Sequence, residues 1–166
     1  MNPYEGSKLA GETAAAEANS RCLFVRTAWL FGGGRPSSPE KIRLAADRAR
    51  AADQPLRVAV DEVGNATPVS MLADRILELV LRATDFSKPE IYHLGGMPIV
   101  SRLQWAKYVL RDRSDALIEP THLSDHGRDS SVPPCAALDT QKATATGIGP
   151  IHWQDKVSPP SGTVGP

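Results

Sequence analysis

Residues 22–31 constrain the fold of this chain more than any other segment, because they form a mostly apolar run in which polar and apolar residues do not alternate. Strict alternation is typical of a strand with one face in water. A continuous apolar run of this length is typical of a strand buried on both faces, which occurs in parallel sheets covered by helices. The run therefore predicts a parallel, helix-covered sheet.

The rest of the chain alternates helical and strand patterns around this run. Helices are predicted at 3–18, 38–52, 67–83, 101–112 and 140–146, and strands at 56–60, 90–94 and 117–119. The apolar positions of 67–83 recur with helical periodicity and predict a core-facing stripe. This alternation predicts an α/β architecture with right-handed crossovers.

Length and charge exclude several classes of protein. The 166 residues fit one domain, and nineteen basic and nineteen acidic residues leave a formal net charge of zero. We therefore expect neither a nucleic-acid partner nor an anionic membrane partner. The polar start indicates no signal peptide, and two distant cysteines, Cys22 and Cys135, indicate a reducing compartment. A cytoplasmic location is the expectation.

Tyr4 and Lys8 form a Tyr-x-x-x-Lys pair at the start of the first predicted helix. Asn2 is a suitable N-cap and Pro3 suits the first turn. Four residues make about one helical turn, so both side chains share a face. An ammonium beside a phenol favours the phenolate, which makes the two a candidate proton-transfer pair. The alternative is an ordinary amphipathic helix start, with Tyr4 packed and Lys8 in solvent.

Several segments, in order, carry a resemblance to a known family. They are residues 2–12 (NPYEGSKLAGE), 23–32 (LFVRTAWLFG), 56–68 (LRVAVDEVGNATP), 91–96 (IYHLGG), 101–106 (SRLQWA) and 128–139 (RDSSVPPCAALD). Together they resemble the dTDP-4-dehydrorhamnose reductase family of the extended short-chain dehydrogenase/reductases. The first segment resembles the catalytic helix of that family, and Trp29 has the family's spacing from Tyr4.

The resemblance implies the C-terminal half of an extended Rossmann fold. Residues 1–156 would form the last parallel strands of that Rossmann fold together with a small α/β substrate-binding domain. Residues 157–166 would be a disordered tail. The sequence has no glycine-rich βαβ unit, which in the family cradles the dinucleotide. Gly32, Gly33 and Gly34 lack the required frames and are interpreted as a strand-to-helix loop. We therefore expect a homo-oligomer or a complementing N-terminal fragment to cover the exposed sheet edge.

The resemblance also assigns roles at the cofactor end of the site. Tyr4 and Lys8 would be catalytic and would contact NADPH or NADH, provided that an N-terminal half is supplied. Thr27 and Ala28 would approach the nicotinamide. Trp29 would pack on the substrate, a nucleotide-linked sugar, although a tryptophan in an apolar strand is also an ordinary core residue.

Three further residues are candidate substrate contacts. Asn65 and Thr67 lie near a strand end, where ligands of parallel sheets bind, but they could equally be a turn residue and a helix cap. Arg128 could pair with the nucleotide diphosphate or remain solvated. No metal site is predicted, because His122 and His126 have no cysteine or glutamate partner to complete one.

Two functions remain open at this point, beside a third interpretation in which the chain is a truncated gene product with no function of its own. The first is reduction of a nucleotide-linked 4-keto sugar in dTDP-L-rhamnose biosynthesis, with the chain inactive alone as a truncated half. The alternative is a non-catalytic binding or regulatory module of the same fold, because a fold does not guarantee its chemistry.

Overall fold

The computed structural model describes residues 2–34, 37–82, 87–127 and 133–157. The helices are α1 (Pro3–Ala18), α2 (Ser38–Ala51), α3 (Val69–Arg82), α4 (Arg102–Val109) and α5 (Gln141–Ala145). The strands are β1 (Leu23–Arg26), β2 (Leu30–Phe31), β3 (Leu56–Ala59), β4 (Val63–Gly64), β5 (Thr67–Pro68), β6 (Glu90–His93), β7 (Gly96–Met97), β8 (Val100–Ser101), β9 (Ile118–Thr121), β10 (Cys135–Ala136) and β11 (Ile151–His152). Short 3₁₀ helices lie at Leu123–His126, after β9, and at Trp153–Lys156, after β11. Of the predicted tail at 157–166, the structure describes Val157, which is buried; residues 158–166 lie outside the described residues.

Parallel pairing dominates the sheet structure, as the sequence predicted. Strand β1 pairs with β6, β2 with β5, β3 with β9, β10 with β4, and β11 with β7, all in parallel. Within the described ranges, the single antiparallel pair joins β4 to β8. Helices separate most of the longer strands along the chain. The α/β class is therefore confirmed.

The predicted strand at 22–31 is wrong in one respect, because the structure divides it into β1 and β2. Residues 27–29 interrupt it, and Trp29 adopts a left-handed backbone with φ of 42°. All four residues of β1 are half-buried rather than buried. Strand β1 has one partner in the described part of the chain, β6, so its other edge stays open. An open edge explains why burial is incomplete.

Helix α1 begins as predicted. The Asn2 Oδ1 accepts a hydrogen bond from the Glu5 amide at 2.9 Å, Glu5 in turn accepts from the Asn2 amide, and Pro3 lies in the first turn. However, no residue of this helix is buried. Its main tie to the sheet is the ion pair between Glu12 and Arg26 of β1, at 2.9 and 2.5 Å.

Helix α3 starts later than predicted. Thr67 and Pro68 form β5, and the helix begins at Val69. The apolar stripe that the sequence predicted is only partly buried, because Leu72 is buried while Leu77 and Leu81 are exposed. The exposed side of this stripe is apolar surface that no other described element covers.

Two buried clusters form the core. The first centres on the rings of Phe31, Trp105 and Trp153, with Trp105 and Trp153 packed edge to face at 5.1 Å. The second lies between α3 and the strands that follow it, and includes Leu72, Leu79, Leu94, Ile148 and Ile151. No helix in the described ranges has the length and apolarity needed to span a bilayer.

The Glu12–Arg26 pair predicts a pH dependence for the attachment of α1. The hydrogen bond from Arg26 holds the pKa of Glu12 below its ordinary value. A lowered carboxyl pKa stabilises the fold above the unfolded-state value of about 4.3, and this contribution disappears as the pH falls through the folded-state pKa. Glu12→Gln should lower the free energy of unfolding by about 0.5–1 kcal/mol at neutral pH, discounted for partial exposure.

Urea unfolding followed by circular dichroism measures this difference. The two proteins should become equally stable once the pH falls below the lowered folded-state pKa of Glu12, because Glu12 is then protonated in both the folded and the unfolded state. Glu17→Gln, an exposed position on the same helix, is the matched control and should have no effect at either pH. A difference between wild type and Glu12→Gln that persists in acid would contradict this explanation.

Candidate active site

Tyr4 and Lys8 lie together at the start of α1, on one side of the helix. The Lys8 Nζ is 5.4 Å from the centroid of the Tyr4 ring, and Tyr4 is 70% exposed. Both line a groove of about 680 Å³, which also includes Thr27 and Leu138. We call this groove the tyrosine groove. It presents a phenol and an ammonium side by side to any ligand that enters.

Thr27 forms the other wall of the tyrosine groove. It follows β1 directly, so it lies at the carboxyl end of a parallel strand, where ligands bind in open α/β sheets. Its Oγ1 is buried and makes no hydrogen bond to any described residue. A buried hydroxyl without a partner is costly, so this atom is a candidate ligand contact. Ala28 is half-buried and lines neither the groove nor the cavity described next.

Trp29 lines a second cavity, of about 720 Å³, between α2, β3 and α4. We call it the tryptophan cavity. The left-handed backbone of Trp29 is unusual for a bulky residue. Gly64 makes room for the indole, because a Cβ at Gly64 would lie 2.6 Å from Trp29 Cε2. The Thr67 amide donates to the Trp29 carbonyl at 3.1 Å and holds the strained segment in place.

Glu62 and Arg102 share the wall of the tryptophan cavity, and sequence reasoning missed both. The Arg102 Nε and Nη2 donate to Glu62 Oε1 at 2.9 and 2.7 Å. The guanidinium carbon lies 3.6 Å from the centroid of the Trp29 ring. These three residues lie far apart along the chain, so no local spacing could have brought them together. The one available signal was the charge of Glu62 beside an apolar strand.

Asn65 and Thr67 line neither the groove nor the cavity. Asn65 is fully buried, its Nδ2 donates to the Gly96 carbonyl at 3.0 Å, and its Oδ1 accepts from the Leu138 amide at 2.8 Å. Thr67 accepts a hydrogen bond from the Gly96 amide at 3.1 Å. The structure therefore gives both residues the role of holding loops together rather than the predicted ligand contact.

The remaining predicted residues contribute less. Arg128 lies outside the described residues. His126 is hydrogen-bonded to Thr121 and His122 faces Asp61. In the described part of the chain, no group of three or more histidine, cysteine, aspartate or glutamate residues has the arrangement of a metal site.

The parallel α/β fold and a Tyr-x-x-x-Lys pair beside the carboxyl end of a strand are features of half a Rossmann-type short-chain dehydrogenase/reductase. The comparisons agree. The chain belongs to the RmlD substrate binding domain family, whose family model matches residues 1–160. The resemblance to dTDP-4-dehydrorhamnose reductases is thereby confirmed.

Relatives of known sequence and structure extend this result. The chain is 32% identical over 157 residues to a dTDP-4-dehydrorhamnose reductase of Streptomyces griseus, covering 91% of this chain and 50% of that protein. It is 27% identical over 158 residues to one from Mycolicibacterium smegmatis, covering 93% and 46%. A reductase structure from Clostridium acetobutylicum has a TM-score of 0.77 at 24% identity, covering 93% and 52%. The chain thus spans about half the length of these relatives.

The fit between Gly64 and Trp29 leads to a stability prediction. Gly64→Ala should lower the free energy of unfolding by about 1–3 kcal/mol, because a rigid ring held on a strained backbone cannot move aside without disturbing its neighbours. Gly11→Ala is the matched control. It lies inside α1 with nothing within 4 Å of the added Cβ, and it should raise stability by about 0.5–1 kcal/mol.

Urea unfolding of both variants provides the measurement. A Gly64→Ala protein that unfolds at the same urea concentration as wild type would show that the indole moves freely, and that the wall of the tryptophan cavity is not fixed.

Proposed function

We propose that this chain carries the proton-donating and substrate-binding half of an NAD(P)H-dependent reductase of a nucleotide-linked 4-keto sugar, as in dTDP-L-rhamnose biosynthesis. The observation that carries the proposal is the tyrosine groove, which Tyr4, Lys8 and Thr27 line together. The relatives named dTDP-4-dehydrorhamnose reductase give the reaction.

The chemistry of the groove follows from its side chains. When bound, the reduced nicotinamide supplies a hydride to C4 of the sugar. Tyr4 is exposed to the groove, so its phenol can donate a proton to the carbonyl oxygen as that oxygen becomes an alkoxide. The neighbouring Lys8 ammonium stabilises the phenolate that remains. The product is a hydroxyl at C4, and the phenol regains its proton from solvent.

The residues of the groove fit the nicotinamide end of a dinucleotide. The Thr27 hydroxyl and the Lys8 ammonium offer polar contacts for the ribose or the carboxamide, and a related Bacillus anthracis reductase structure holds NADP. The phosphates need a glycine-rich turn at a helix N-terminus, and this sequence has none. We therefore propose that an N-terminal half, or an oligomeric partner, completes the binding of NADPH or NADH.

The open elements around the groove support the need for such a partner. Helix α1 buries no residue, and β1 has a single paired edge among the described strands. Leu9 and Ile91 expose apolar side chains on α1 and β6. A parallel strand added to β1 would pair its free backbone groups.

We further propose a cytoplasmic location. Cys22 and Cys135 are both free thiols, which suits a reducing compartment.

Complementation tests the proposed reaction. The chain is mixed with the N-terminal half of the Streptomyces griseus reductase, and NADPH oxidation is followed with dTDP-4-dehydrorhamnose. The mixture should turn over, and Tyr4→Phe should lower the rate about 10²- to 10⁴-fold, because the proton donor is lost. Tyr92→Phe is the matched control. It removes a phenol hydroxyl from β6, outside the groove, and should leave the rate unchanged.

The other outcomes are also informative. Turnover that survives Tyr4→Phe would show that another group donates the proton. A mixture that forms a stable complex and binds dinucleotide without turnover would favour the non-catalytic module.

A further inference from the structure

The Arg102 side chain is fixed by two kinds of contact, hydrogen bonds to Glu62 and stacking on Trp29. Two of its nitrogens donate to one oxygen of Glu62, and its plane covers the face of Trp29 at 3.6 Å. Stacking on an aromatic face and hydrogen bonding to a carboxylate together fix both the position and the tilt of a guanidinium.

Two features next to Arg102, a buried carboxylate and a strained backbone, are energetically unfavourable on their own. Glu62 is 1% exposed, and a buried carboxylate is unfavourable unless a cation and hydrogen bonds compensate it. Trp29 holds a left-handed backbone, and β4 carries glycine at the position that makes room for the indole. Strain and buried charge of this kind concentrate at ligand sites.

Arg102 lines the cavity and keeps donors that the Glu62 pair does not use. A guanidinium has five N–H groups, and Nη1 makes no hydrogen bond to any described residue. The Arg102 side chain remains 29% exposed at the cavity wall. Lys41, on the α2 side of the same cavity, is exposed and forms no ion pair with another described residue. Arg57 is the third basic residue of the lining, and Glu62 is its one acidic residue within the described ranges.

From this arrangement we infer that the tryptophan cavity binds an oxoanion of the substrate through the free edge of Arg102, assisted by Lys41. Arg102 is thus a specificity-determining residue, and Glu62 is the positioning residue that aims it. The inference rests on the proposed function for its ligand class, a nucleotide-linked sugar. Such a ligand presents a diphosphate, and in some sugars a carboxylate, and both match the planar fork of arginine.

Calorimetric titration of the purified chain tests the inference with three ligands. dTDP carries the diphosphate, glucuronate carries the carboxylate, and thymidine is the uncharged reference. Arg102→Gln should weaken binding of whichever anion occupies the cavity by about 10- to 100-fold, and should leave thymidine binding unchanged. A loss for dTDP assigns the diphosphate, and a loss for glucuronate assigns the carboxylate.

Three variants refine the test. Arg102→Lys should bind the anion no better than Arg102→Gln, because an ammonium provides neither the fork nor the stacking. Glu62→Gln should weaken anion binding while thymidine binding stays constant, which a general loss of structure would not do. Arg48→Gln removes an exposed arginine of α2 outside the cavity and should behave as wild type. Circular dichroism checks that each variant is folded.

The inference is overturned if Arg102→Gln, while folded, binds dTDP and glucuronate as wild type does. That result is separable from failure of the proposed function. Arg102-dependent anion binding without Tyr4-dependent turnover would leave the oxoanion site standing and remove the reductase assignment. Tyr4-dependent turnover with an unchanged KM in Arg102→Gln would support the reductase assignment and remove the oxoanion site.

Discussion

The left-handed backbone at Trp29 is the constraint on which the rest of the site depends. It interrupts the apolar run and separates β1 from β2. On one side of the interruption, Thr27 enters the tyrosine groove, and on the other, Trp29 enters the tryptophan cavity. Three residues of chain thus join the two spaces. Gly64, which leaves room for the indole, and the Thr67 amide, which binds the Trp29 carbonyl, hold this geometry.

The tyrosine groove and the tryptophan cavity lie on parts of the structure that differ in stability. The tryptophan cavity is next to the aromatic core around Phe31 and Trp105, where packing is dense. The tyrosine groove depends on α1, which buries no residue and is tied to β1 by a partly exposed ion pair. Because exposed ion pairs contribute little, α1 is the element whose position a partner would stabilise most.

Local signals in the sequence predicted what depends on local interactions. The start of α1 followed from Asn2, Pro3 and the helix pattern after them, and the cap of α4 followed from Ser101. The meeting of Tyr4 and Lys8 followed from one turn of helix. Parallel pairing followed from the order of helical and strand patterns, and the family resemblance supplied the rest of the architecture.

Contacts between distant parts of the chain could not be predicted in this way. Asn65 resembled a ligand residue at a strand end, but its amide is occupied by groups 31 and 73 residues away. Arg102 and Glu62 are 40 residues apart, and their pairing depends on how α4 packs against β3 and β8. The break at Trp29 required Gly64 from another strand. In each case the deciding interaction is tertiary, so no window of sequence contains it.

The central claim is that residues 27–29 join the groove and the cavity into one substrate site. Two-dimensional NMR of the chain, titrated with the stable nucleotide sugar dTDP-glucose, tests it most directly. The account predicts that the Thr27 methyl and the Trp29 indole N–H resonances shift together, with one dissociation constant. A ligand that shifts Trp29 and leaves Thr27 unchanged, or shifts the two with different affinities, would contradict it.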